Sequence, residues 1–259
     1  MSARATGYFR PGASWLHRRN PVTKLLALLW VILAAFLLPP PALVALVALV
    51  AGAAASVRLL GAVIRSLRIP ALLFASILVV NAFFYPGARD VVGGLGPLSI
   101  TREGLTFGAV SAGRLLVAFS ASILFLFTTL ADDLLEALVE RGASHRIAFV
   151  ILSSVQMVPR LQSRAAAILE AQQARGLEIG GSLPRRARAL VPLVGPLLLG
   201  SLIDVRERTF ALEARAFGAR PDRTAYRVVS DPAVDRVLRW LIVAAAVGVV
   251  AAAIARPLG

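Results

Sequence analysis

Two arginines stand between small residues at what read as helix ends. One is Ala174-Arg175-Gly176 in EAQQARGLEIG, the other Ala214-Arg215-Ala216 in ALEARAFGARP. A guanidinium stays charged and offers a planar fork of donors, so its natural chemistry is recognition of a carboxylate or carbonyl. An arginine near a helix C-terminus also faces a favourable dipole worth about 0.3–1 kcal/mol, which would account for either one alone. Duplication with small neighbours on both sides argues for more. Small residues let another surface approach the backbone, and a charge-assisted bond to a recessed acceptor contributes about 1.5–3 kcal/mol. Two such tips suit two similar partners.

A second constellation is acidic. Asp133 and Glu136 in TTLADDLLEALVERG have capping-box spacing, and acids in a first turn suit the helix dipole. Asp132, Asp133 and Glu136 together also resemble the cluster with which some membrane transferases hold magnesium, and the alternative function is therefore a membrane-embedded transferase acting on a lipid-linked substrate. Such sites need a second acidic cluster on a facing helix, and none is found. The only histidines, His17 and His145, have no acids at ligand spacing, and there is no cysteine, so no metal site is expected. Lys24 is the only lysine and follows NPVT rather than a glycine-rich loop, so the chain cannot form a Walker A site. No cofactor of its own is expected: if ATP drives this protein, a partner binds it.

The elements that present the arginines are amphipathic. In HRIAFVILSSVQMVPRLQSRAAAILEAQQARG, Leu161, Ala165, Ile168 and Gln172 share a face. Pro159 is expected to kink or divide this helix. A second helix is predicted from about Leu197, with Leu199, Leu202, Ile203, Arg206, Phe210 and Ala214 at helical spacing and Gly218 as its stop. Pro159, Pro192 and Pro196 are candidate hinges; fixed kinks are the other reading.

The remainder is apolar. Of 259 residues 58% are hydrophobic, with mean hydropathy +0.78, which argues for membrane insertion. Residues 24–38 and 42–57 read as two short helices joined by a Pro39-Pro40-Pro41 turn, and residues 67–84, 109–129 and 234–254 as three further spans. Residues 189–203 are read as lying at the interface, because crossing would put Arg206, Arg208 and Arg215 outside. Arg10, Arg18, Arg19 and Lys24 precede the first span, so the positive-inside rule puts the N-terminus in the cytoplasm and the C-terminus outside. The expected architecture is an all-α polytopic protein of the inner or plasma membrane with about five transmembrane helices. Residues 1–129 carry a basic segment and four spans, residues 130–233 form a cytoplasmic module of amphipathic helices, and residues 234–259 hold the last span. The net charge of +14 suits an anionic bilayer surface. Nucleic acid is not expected as a partner, since aromatics are 7% and do not interleave with the basic run.

At these residues the chain resembles the transmembrane T component of energy-coupling factor transporters, the ABC-type importers of vitamins and transition-metal ions. YFRPGASWLHRRNPVTKLL is similar to the family's opening, and TTLADDLLEAL with VPRLQSRAAAILEAQQARG to its coupling region. The resemblance implies that Arg175 and Arg215 each dock into one of two ABC-type ATPase subunits, with Ala174, Gly176, Ala214 and Ala216 as clearance. It also implies that the coupling helices pass ATP-driven motion to a separate substrate-binding S component, the T component itself having no active site. The second element departs from the family pattern in ending on alanine, which leaves open a helix running one residue further.

Overall fold

A computed structural model describes residues 9–86, 90–95, 98–177, 182–217 and 230–255; in α8 the side chains of residues 183–190 are outside the description. The elements in chain order are α1 (Pro21–Leu37), α2 (Pro40–Ser56), α3 (Leu60–Ser66), α4 (Ala71–Phe84), β1 (Val91–Leu95), β2 (Leu98–Thr101), α5 (Arg102–Thr128), α6 (Ala131–Val139), α7 (His145–Ala174), α8 (Leu183–Ala214) and α9 (Ala233–Ile254). The chain divides into two compact units, Met1–Ala137 with Val229–Gly259, and Leu138–Val228.

In the first unit, Asn20 caps α1, its Oδ1 accepting the Val22 amide at 3.0 Å, and Pro21 occupies the first turn, where its missing N–H is not needed. Leu38 and Pro39 break the apolar run. Pro40 and Pro41, expected in the turn, instead open α2, again because a first turn tolerates proline. Val31, Ala34 and Ala35 of α1 pack with Leu46 and Val50 of α2 and Val117 and Ala121 of α5. A second cluster joins Ala54 and Val57 to Val63 of α3 and to Leu124 and Phe127. The segment before α1 folds over these ends: Trp15 Nε1 donates to Ser56 Oγ at 3.1 Å, and the Arg10 guanidinium lies 4.8 Å from the Phe127 ring centre.

The architecture is helical as expected, with one small addition: VVGGL and LSIT pair as an antiparallel hairpin between α4 and α5. Its last residue, Thr101, caps α5 through Gly104 N–H at 3.3 Å. A Cβ on Gly104 would fall 2.3 Å from the Asn81 carbonyl oxygen, so glycine permits the close approach of α4 and α5 there. Asn81 itself donates back to Ile77 O at 2.8 Å, within its own helix.

Fewer of the described helices than the five expected spans reach the length of a bilayer crossing. Among the described residues two helices, α5 and α9, are long and apolar enough to cross a membrane. A third candidate is α3 with α4, bent by 62° at the break between them. α1 and α2 are 17 residues each, about 25 Å at 1.5 Å per residue and short of a typical hydrocarbon core. None of the apolar stretch of α9 is buried by the rest of the chain, so it requires lipid as its solvent.

The second unit holds α7 and α8. Pro159 neither divides nor ends α7. Residues 189–203 belong to the interior of α8, which begins 14 residues before the expected start at Leu197 and runs through Pro192 and Pro196. Each internal proline removes one hydrogen-bond donor, and helices of this length continue past that loss.

Candidate functional site

α7 and α8 end in the same piece of backbone. Arg175 has φ −92° and ψ 11°, Arg215 φ −92° and ψ 10°. The next residue in each is left-handed, Gly176 at φ 90° and Ala216 at φ 53°. The Gly176 amide donates to Gln173 O at 2.9 Å and the Leu177 amide to Gln172 O at 3.0 Å. The Ala216 and Phe217 amides repeat this to Glu213 O and Leu212 O, both at 2.9 Å. This is the Schellman closure of a helix end. The small-Arg-small elements are therefore last helical residue, cap and left-handed residue, in that order.

All six residues are exposed. Among the described residues neither guanidinium has a hydrogen-bond or ion-pair partner. The helix does not run on at Ala216, as the missing glycine left open; alanine takes the left-handed position at a conformational cost of about 1–2 kcal/mol. Gly218, the expected stop, lies outside the described residues.

α6 supplies an internal control. It closes in the same way, with Gly142 at φ 98° and the Ala143 amide on Leu138 O at 3.0 Å, and Arg141 precedes that glycine. Arg141 follows Glu140 rather than alanine, and it has an interaction partner. The closure is thus general; the small residue before it and the open guanidinium distinguish the two tips.

Within the second unit Arg164 of α7 holds Asp204 of α8 through both nitrogens, Nη1 to Oδ2 at 2.7 Å and Nη2 to Oδ1 at 3.0 Å. The Arg164 hydrogen bonds hold the Asp204 carboxyl below the ordinary carboxylate range, and the charges of Arg208 and Arg160 act the same way. Phe217, just beyond the second tip, packs on Phe149 and His145 at ring distances of 4.7 and 5.9 Å.

Sequence reasoning missed a polar junction in the first unit. Asp235 has no exposed surface; it accepts the Asn20 amide at 3.2 Å and faces Arg19 Nη1 at 3.5 Å. Arg239 forks onto Asp231 at 2.8 Å and reaches Thr23 Oγ1 at 3.2 Å. Buried Lys24 donates to Thr128 O at 2.6 Å, capping the end of α5. The one sequence signal was Asp231 and Asp235, four apart, followed by Arg239; Asp231 pairs with Arg239 itself, whereas Arg19, Asn20 and Thr23 lie more than 200 residues away.

The acidic cluster takes a different form from the one expected. Asp132 and Asp133 sit inside the first turn of α6, and Leu134 N–H already bonds to Leu130 O, so Asp133 is not the cap. Its charge, with that of Asp235, acts on Lys24. Among the described residues no group of three or more His, Cys, Asp or Glu is placed to hold a metal ion.

Lipid-requiring helices joined to exposed cationic tips define a polytopic membrane protein whose exposed chemistry is recognition. The profile of the CbiQ family, described as cobalt transport protein, matches residues 12–226, and the chain belongs to that family. An energy-coupling factor transporter transmembrane protein EcfT from Heliobacterium modesticaldum is 33% identical over 232 residues, covering 85% of this chain and 86% of its own. The EcfT protein of Lacticaseibacillus paracasei is 33% identical over 234 residues, covering 86% and 88%. A Bifidobacterium longum protein described as an ABC transporter ATP-binding protein is 32% identical over 255 residues, which span 94% of this chain and 32% of that one. The protein is the transmembrane coupling subunit of an energy-coupling factor transporter and is not itself an enzyme.

Proposed function

We propose that Arg175 and Arg215 are the points at which two ABC-type ATPase subunits grip this chain. Ala174, Gly176, Ala214 and Ala216 give those subunits clearance to approach the backbone. ATP binding draws the ATPases together and takes the two helix tips with them. The shift of α7 and α8 then changes the access of a separate S component, whose cargo is a vitamin or a transition-metal ion. The observation that carries this reading is the matching closure of the two tips, each with an exposed guanidinium that has no partner among the described residues. The Bifidobacterium longum relative described as an ATP-binding protein adds support, since its match takes in nearly all of this chain.

The second unit lies on the cytoplasmic side, where the ATPases are. α1 and α2 cross with α3–α4, α5 and α9, the bilayer thinning locally around the two short helices. The N-terminus is then cytoplasmic and the C-terminus outside. Val150, Ile151, Leu198, Leu199, Leu202 and Ile203 are exposed apolar side chains of α7 and α8, and the S component is the partner that covers them. Pro159, Pro192 and Pro196 are where these helices bend during the cycle.

Changing both Arg175 and Arg215 to Glu abolishes co-purification of the ATPases and ATP-driven uptake while the chain still inserts. Uptake that survives the double change removes the docking role.

A further inference from the structure

We propose that Arg164 and Asp204 are positioning residues: their ion pair fixes where α7 and α8 cross and thereby sets the spacing of the two arginine tips. This rests on the docking role given above to Arg175 and Arg215.

The geometry comes from the register. The offset of 40 residues that matches Arg175 to Arg215 also matches Arg164 to Asp204. Each tip arginine lies 11 residues beyond its member of the pair, roughly 16 Å along the helix at 1.5 Å per residue. Phe217, at the end of α8, lies against Phe149 and His145 at the start of α7, so the helices run in opposite directions. Contact between equivalent positions of two antiparallel helices creates a local twofold axis through the contact. The pair therefore sits midway between the tips and gives the two levers equal arms.

Little else in the unit specifies that point. α7 has no buried residue, and Leu193 is the one buried hydrophobic side chain among those described in α8. Apolar packing between the two helices would barely resist a slip of one turn, whereas a two-pronged arginine–carboxylate contact has a single register. Gly200 adds an independent sign. It lies in the interior of a long helix, where glycine is disfavoured relative to alanine. A Cβ there would fall 2.9 Å from Arg164 Nη1 and 3.3 Å from Cζ. The bare glycine leaves the guanidinium its path to Asp204, one turn further on.

The chain has no cysteine, so Gln173→Cys with Glu213→Cys allows both tips of the full-length protein to be spin-labelled in lipid nanodiscs. Double electron–electron resonance then reads the tip-to-tip distance without any partner present. Arg164→Ala and Asp204→Ala are each expected to broaden the distribution about twofold, and Gly200→Ala to broaden it less. The charge-swapped chain, Arg164→Asp with Asp204→Arg, is expected to recover the narrow distribution. ATP-driven uptake follows the same order, lost in the single variants and recovered in the swap. Single variants as narrow as wild type, or a swapped chain as broad as the singles, would overturn the proposal. Because the distance needs no ATPase, failure of wild type to capture ATPases would remove the docking reading and leave the crossing result standing.

Discussion

The two units use arginine in opposite ways. In the first, Arg19 reaches Asp235 from an element distant in sequence, Arg239 forks onto nearby Asp231, and the carboxylate of Asp235 is fully buried. In the second, Arg175 and Arg215 stand on helix ends, exposed, with no partner among the described residues. A desolvated ion pair is costly to break, because the group left behind is buried without compensation. An exposed cation contributes almost nothing to folding and remains open to an outside acceptor. Charge thus holds the first unit together and equips the second for recognition. Arg164 belongs to the second unit yet is paired like the arginines of the first, with both partners part-exposed.

The largest effect that can test this contrast is on stability. Asp235→Ala removes the acceptor of Arg19 and of the Asn20 amide, and is expected to cost about 3 kcal/mol. Arg175→Glu with Arg215→Glu is expected to change stability by less than about 0.5 kcal/mol. Thermal melting of the detergent-solubilised chain checks both, and a tip variant that melts as early as Asp235→Ala would dissolve the distinction.

A smaller effect sharpens the comparison between the tips themselves. Gly176→Ala meets nothing within 4 Å, so its cost is purely conformational, about 1 kcal/mol. Ala216→Gly relieves the same strain and is expected to stabilise the second tip by about 1 kcal/mol. Hydrogen exchange at the Leu177 and Phe217 amides should speed in the first variant and slow in the second.

The smallest effect concerns pH. The Asp204 carboxyl is depressed in the folded chain, so its contribution is complete above the ordinary value near 4 and is lost as pH falls through the lower folded value. Arg164, Arg160 and Arg208 face it with positive charge, and Glu207 acts on Arg164. Tip spacing is therefore expected to stay flat between about pH 5 and pH 8 and to change only in stronger acid.

Much of this organisation could be read from local signals. α5 and α9 are long apolar runs and lie within a few residues of their expected bounds at one or both ends, and the tips sit at helix ends because Arg, small residues and glycine are helix-stop chemistry. The start of α8 was not legible, since Pro192 and Pro196 mark a break in any local reading while a 32-residue helix absorbs them. The hairpin was hidden because VVGGLGPLSI is too rich in glycine to look like paired strands. The junction around Asp235 left only the spacing of Asp231, Asp235 and Arg239 as a local signal: pairs such as Asn20 with Asp235 come together only when α9 packs on α1. For the same reason the Arg164–Asp204 pair was visible only once both helices were in place.

The most direct test of the central claim places a photo-crosslinking residue at Ala174 or Ala214 in the assembled transporter, with exposed Gln162 in the interior of α7 as control. The account predicts a covalent adduct with an ATPase subunit from each tip and none from Gln162. Adducts absent from both tips, or equally abundant from Gln162, would contradict it.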